Sequence, residues 1–296
     1  MISWHGVHTA TLGSLLIEAM CIDADGLLAG SHTGTGFVYR LRGRTFLVTS
    51  WHIVTGRNPD NPLSLIATGA RASPVRIEFC VPLKSNHNHF VPGGVDLYVE
   101  GQPIWLEMRD VGGKIDLVAI PVQFPDDSFV VAVQDFAADG SDLSIGDDVI
   151  VIGFPFGRYE ENPHATWKRA MVASEPGILL SGRPRYFVDV AGRPGMSGSP
   201  VYATSPALRT TAETGNIGEN PALSAVESIA QIDRDSPMLD SAKNLRLVGI
   251  YSNSLADKAV GDLNYGFCWH SGLIEPLIQE ARPGYNPEPP QFQPQS

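Results

Sequence analysis

The sequence predicts an all-β protein, a barrel pair or sandwich of short antiparallel strands. Three observations lead there. More than ten short β-rich runs are separated by clusters of Gly, Pro, Asp and Asn. With Gly 30 and Pro 23 among 296 residues, the chain is rich in breakers that suit tight turns and exclude a helical bundle or coiled coil. Helical periodicity is scarce.

In chain order, Gly36–Leu41 and Arg44–Thr49 are two β-rich runs joined by Arg42-Gly43, a hairpin signal. Further strands are expected at Val75–Val81, Val95–Glu100, Ile104–Met108, Ile115–Val122 and Phe129–Val133. Val149–Phe154, Ala165–Ala173, Arg185–Val190, Leu245–Ser252 and Tyr265–Trp269 follow. The best helix candidate is Leu273–Ala281, which requires Pro276 to lie in its first turn. Residues 203–244, rich in Ser, Ala, Asn and acidic side chains, read as a long insertion or mobile loop. Residues 282–296 form a Pro/Gln-rich tail expected to be disordered.

Composition narrows the function classes. A hydrophobic content of 43% with 18% charged residues is a globular profile. The formal net charge of −11, without a basic stripe, disfavours nucleic acid and anionic membrane surfaces as partners. The N-terminus lacks the basic and apolar regions of a signal peptide, and the apolar stretch Leu12–Ile22 is interrupted by Glu18 and too short to span a bilayer. Cys21, Cys80 and Cys268 are odd in number, widely spaced and without metal-ligand spacing, as expected of reduced thiols in a cytoplasmic protein.

The strongest chemical signal is Gly195-Met196-Ser197-Gly198-Ser199-Pro200. Glycines around a serine allow close backbone approach to a substrate and the positive φ that can aim two N–H groups at one point. The same six residues also suit an ordinary turn between strands. A nucleophilic serine needs a base, and the base an orienting carboxylate. His52 follows the strand that ends in Leu47-Val48-Thr49, and Asp116 opens the apolar run Ile115–Val122. An acid there needs a partner to offset its burial. Asp96 competes for that role, but its run continues Tyr98-Val99-Glu100-Gly101 like a partly exposed hairpin, so Asp116 is favoured.

In this order the segments resemble the trypsin-like serine peptidases of the chymotrypsin fold, closest in style to the HtrA/Deg branch. Thr35-Gly36-Phe37-Val38 resembles the first-barrel strand, Leu47–Val54 the histidine segment and Asp116–Ile120 the aspartate strand. Ile145–Gly157 resembles the opening of the second barrel, Asp189–Pro200 the nucleophile loop and Leu247–Ser252 the substrate strand. The resemblance implies two antiparallel β-barrels with the active site between them. Residues 1–125 would form an N-terminal barrel carrying His52 and Asp116; residues 126–281 would form a C-terminal barrel carrying Ser197 and the insertion.

It further implies a serine endopeptidase acting on protein or peptide substrates through an acyl-enzyme, with no cofactor and no metal. Ser197 is then the nucleophile, His52 the base and Asp116 its orienting acid, with the N–H groups of Gly195 and Ser197 as the oxyanion hole. Ala191 would lie at the base of the P1 pocket, walled by Ser252, Asn253, Ser254 and Gly266, and an alanine there favours a small or medium apolar P1. Tyr251–Ser254 would present a strand edge to an extended peptide. Two classes of rival remain: an idle protease-fold module that binds peptides or a partner, and an esterase.

The chain departs from secreted trypsin-like enzymes at Met196, which stands where an aspartate receives the new N-terminal ammonium on activation. The loop Gly192–Met196 must therefore be ordered by neighbouring loops, a partner protein or substrate. A substrate-tethering PDZ domain is expected to be absent. His87 and His89, and the acidic run Asp23-Ala24-Asp25-Gly26, are poor metal sites for want of further ligands. Cys268 reads as a small core residue.

Overall fold

A computed structural model describes residues 7–22, 27–66, 73–108, 115–140, 142–157, 164–204, 245–254 and 265–290. Seven strands form the first sheet: β1 (Ser14–Ile22), β2 (Leu28–Leu41), β3 (Arg44–Thr49), β4 (Pro74–Pro82), β5 (Phe90–Asp96), β6 (Leu106–Glu107) and β7 (Val118–Pro121). Their spatial order is β6-β7-β3-β2-β1-β4-β5. The β2–β3 turn is the expected one: Arg42 and Gly43 both have positive φ (51° and 75°), which matches the twist of a tight hairpin and pairs Leu41 with Arg44.

The second sheet holds β8 (Ala137–Asp139), β9 (Asp148–Gly153), β10 (Thr166–Val172), β11 (Arg185–Asp189), β12 (Pro200–Thr204), β13 (Leu245–Ser254) and β14 (Tyr265–His270). Its order is β8-β13-β12-β9-β10-β11-β14, and β13 also pairs with β14. That extra pairing closes β9 to β14 into a six-stranded antiparallel barrel, with β8 added in parallel. The chain is thus mostly β with the chymotrypsin-like architecture. In the first sheet the end strands β5 and β6 do not pair with each other.

Three apolar clusters explain why so many strands are buried on both faces. Leu15, Ile17, Val38, Leu47, Ile77 and Trp105 fill the first sheet, and Val149, Val188, Met196, Tyr251 and Cys268 fill the second. Phe37, Tyr39, Phe46, Val48, Leu117, Ile250 and Trp269 lie between them. Alternate residues of β2 and β3 therefore face the first sheet's own core and the core shared with the second.

Several expectations change. β1 falls in the stretch weighed above only as a membrane span; its inward Leu15, Ile17, Ala19 and Cys21 alternate with more exposed neighbours. Among the described residues no helix is long and apolar enough to cross a membrane. Phe129–Val133 makes only one bridge, Val38 to Ala132, because the Asp135 carboxylate accepts from the Ala132 N–H at 2.8 Å and winds the chain into a 3-10 turn. The helix is Ile274–Glu280, with Pro276 in its first turn, where a missing N–H leaves no bond unmade. Residues 205–244 of the expected insertion, the Asp23–Gly26 run and residues 291–296 lie outside the described residues.

The tail is the main correction. Residues 282–290 return to the first sheet. Glu107 N–H donates to Arg282 O at 3.1 Å, and Gly284 N–H donates to Trp105 O at 2.8 Å. Asn286 is buried, its amide donating to Tyr98 Oη at 3.0 Å and Ser73 Oγ at 3.1 Å, and Glu288 pairs with Arg57 at 2.7 Å. Composition misled here because a Pro-rich segment with no helical or strand period can still satisfy its polar groups one by one against a preformed surface.

His32 on β2 links sheet to site: its Nε2–H donates to the Ile53 carbonyl at 2.9 Å. Burial, with His52 nearby, pulls its pKa from 6.5 down to about 4, although the Ile53 bond opposes the shift. The unfolded chain then binds a proton that the folded chain refuses, so stability is full above about pH 6.5 and falls as pH drops toward about 4, by roughly 3 kcal/mol over that window. In His32→Gln, urea midpoints at pH 4.5 and 7 should differ by less than in the wild type.

Candidate active site

His52 lies on the helix Trp51–Thr55, which Gly56 ends in the left-handed region (φ 67°). The preceding Trp51 anchors that helix, its indole N–H donating to Glu107 Oε2 at 3.0 Å, and Trp105 donates to the same oxygen at 3.3 Å. Asp116 lies two residues before β7 and is fully buried. Its carboxylate accepts from His52 N–H at 2.8 Å, from His52 Nδ1 at 2.7 Å and from the Ser252 hydroxyl. Burial alone would raise its pKa, but the His52 charge and these hydrogen bonds outweigh that and hold it below the usual carboxylate range. A carboxylate on Nδ1 keeps the proton there and leaves Nε2 with its lone pair.

Ser197 is joined to the same group through Ser252, whose carbonyl accepts from the Ser197 hydroxyl. Ser197, Ser252, Asp116 and His52 thus form one connected set, although the Ser197 hydroxyl donates to Ser252 O and not to the imidazole. Before Ser197, Met196 N–H donates to Arg193 O at 3.2 Å and closes a turn whose third residue, Gly195, has φ 91°. A Cβ at Gly195 would come within 2.3 Å of the Phe154 carbonyl, and one at Gly198 within 2.0 Å of the Thr35 carbonyl, so both positions require glycine.

The Pro194 carbonyl accepts from Phe156 N–H at 2.6 Å. Across a planar trans peptide the C=O and N–H point in opposite directions, so the Gly195 N–H is turned away from Phe156. Neither the Gly195 nor the Ser197 N–H has an acceptor among the described residues. Thr35, fully buried, fastens this loop to the first sheet. Its N–H donates to Ser197 O at 2.8 Å, and its hydroxyl donates to Gly195 O at 2.8 Å while accepting from Phe154 N–H at 3.1 Å.

The remaining expected residues divide. Ala191 is half-buried, and its carbonyl accepts from the Lys168 ammonium. Burial, with Arg193 nearby, lowers the Lys168 pKa. Gly266 stands against the Tyr251 ring, where a Cβ would lie 2.1 Å away. The side chains of Asn253 and Ser254 lie outside the described residues. Tyr251 departs from expectation: its ring is buried, its N–H donates to Ser199 O at 2.8 Å and its carbonyl accepts from Gly198 N–H at 2.7 Å. With both backbone groups engaged it supports the serine loop and offers no strand edge.

Asp96 is exposed and pairs with Arg76 at 2.6 Å, away from His52. His87 stacks on Phe129, and among the described residues no three His, Cys, Asp or Glu side chains could hold a metal. None of the three cysteines is in a disulfide, and burial pushes the Cys268 thiol up to about 12. Sequence reasoning missed the Ser252 hydroxyl on Asp116, the Thr35 bonds and the Lys168 contact. Each joins residues far apart in the chain, and no local pattern marks them.

The family model for the trypsin-like peptidase domain matches residues 34–207, more than half of the chain and a span that includes His52, Asp116 and Ser197. No curated protein matches. Among solved structures, a thermostable serine protease from an extremophilic microorganism is similar at 9% identity and a TM-score of 0.48, over 92% of this chain and 98% of its own. The assignment rests on the family match together with the observed sheet topology: the chain belongs to the trypsin-like peptidase family.

Proposed function

We propose that the protein is a serine endopeptidase that cleaves protein or peptide substrates through Ser197, His52 and Asp116. The observation that carries this reading is the buried Asp116 carboxylate on His52 Nδ1 at 2.7 Å, beside a serine loop with two N–H groups that have no acceptor among the described residues. In the reaction the Ser197 hydroxyl leaves the Ser252 carbonyl and turns to His52 Nε2, which takes its proton as Oγ attacks the scissile carbonyl. The N–H groups of Gly195 and Ser197 receive the oxyanion, each contributing about 3–4 kcal/mol. His52 then protonates the leaving amine, and water, deprotonated in turn by His52, releases the acyl group from Ser197.

The resting Ser197–Ser252 bond favours a second reading, an idle peptide-binding module, or a latent enzyme awaiting an activating partner. Met196, buried among Val190, Val201 and Tyr251, supports activation without a new N-terminus. The reduced cysteines are consistent with a cytoplasmic setting.

Intact-mass spectrometry after fluorophosphonate treatment is expected to show one adduct on the wild type and none on Ser197→Ala or His52→Ala. A wild type that stays unlabelled, alone and with denatured protein present, would leave the binding-module reading. Thr35→Val strands a buried carbonyl and a buried N–H at about 1–3 kcal/mol each, so it should lower the thermal midpoint and cut kcat about tenfold with little change in KM. On a peptide panel, Ala191 with the Lys168 ammonium behind its carbonyl predicts cleavage after small or medium apolar residues; cleavage mainly after Lys or Arg contradicts that pocket.

A further inference from the structure

Among the described residues Arg185 has no acidic partner. It opens β11 and is only 8% exposed, yet its Nε is buried with no partner, and no described residue accepts from its guanidinium. The two carboxylates that act on it through space are already engaged, Asp60 by Arg183 at 2.5 Å and Asp116 by His52 and Ser252. What holds the side chain is aromatic: the guanidinium carbon lies 3.8 Å from the centre of the Phe267 ring and 5.5 Å from that of Trp269. A buried guanidinium Nε–H without an acceptor is costly, and completing the cation with a carboxylate is favourable.

The strand register shows which way this cation faces. Arg185 pairs with Trp269, and Trp269 with Ile250, so the three form one cross-strand row on one face of the barrel. Ile250 and Trp269 belong to the core shared with the first sheet. Two residues beyond Ile250 on the same face stands Ser252, whose hydroxyl reaches Asp116. By lying over Phe267, which is half-buried, the Arg185 guanidinium reaches from its own row into the next, where Phe267 stands opposite the bulge between Tyr251 and Ser254.

We propose that Arg185 is a specificity-determining residue that receives an acidic side chain, Asp or Glu, of a peptide laid along Ser252–Ser254. The Phe267 ring holds the guanidinium in place, and its free donors form a charge-assisted, two-pronged bond to the carboxylate. This subsite rests on the active-site reading above, and it makes the preferred substrate an acidic segment flanking the cleaved bond.

The test uses a fluorescent peptide panel in which Glu or Gln is placed at each position on either side of one cleavable bond. Hydrolysis is measured with the wild type, and binding by fluorescence anisotropy with Ser197→Ala. At one position Glu is expected to exceed Gln by about tenfold in kcat/KM or affinity. The ratio should fall to about one in Arg185→Gln, persist in part in Arg185→Lys, and drop below one in Arg185→Glu, with circular dichroism verifying the fold of each.

Hydrolysis without any Glu preference, or a preference that survives in Arg185→Gln, overturns the subsite and leaves the peptidase reading standing. Glu-selective binding that needs Arg185, without hydrolysis, upholds the subsite and overturns the peptidase reading. Neither hydrolysis nor selective binding overturns both.

Discussion

The structure depends on how one buried carboxylate is satisfied. Asp116 is fully enclosed between two sheets, and an ionised acid there would cost several kcal/mol without donors. Its donors come from both sides of the molecule: the backbone and ring of His52 from the first half, and the hydroxyl of Ser252 from β13 of the second. The geometry that stabilises the charge also fixes the imidazole tautomer and brings β13 against the first sheet. Stability and chemistry therefore impose the same constraint, and the apolar contacts of Phe37, Leu117, Ile250 and Trp269 reinforce it.

The serine loop is held without charge. Where an ion pair would need a newly formed terminus, this chain buries Met196 in the second barrel's core and fastens the loop with neutral hydrogen bonds from Thr35, Phe156 and Tyr251. These bonds form as the chain folds, and several of them cross from the first sheet to the second. The shape of the loop is thus tied to the relative seating of the two halves.

A second link between the halves is the C-terminal segment. After its helix the chain crosses back to the first sheet, lays Arg282 and Gly284 along Glu107 and Trp105, and buries Asn286 against Ser73 and Tyr98. Glu107, which also accepts from Trp105, in turn holds the indole of Trp51, next to His52. Residues at the end of the chain therefore brace the helix that carries the imidazole.

Much of this was legible in the chain itself. Strand alternation, breaker spacing and the Arg42-Gly43 turn are local properties, and they determined the β class and most strand positions. The spacing of glycines around Ser197 likewise marked a loop needing positive φ, and the apolar run around Asp116 marked an acid that must find a partner. What the sequence could not decide was which groups provide the partners. The Ser252 hydroxyl on Asp116, the Thr35 bonds to the serine loop, the packed tail and the stacking of Arg185 on Phe267 all join residues distant in the chain. Their energies come from burial and hydrogen-bond geometry, which exist only once the two sheets are packed together.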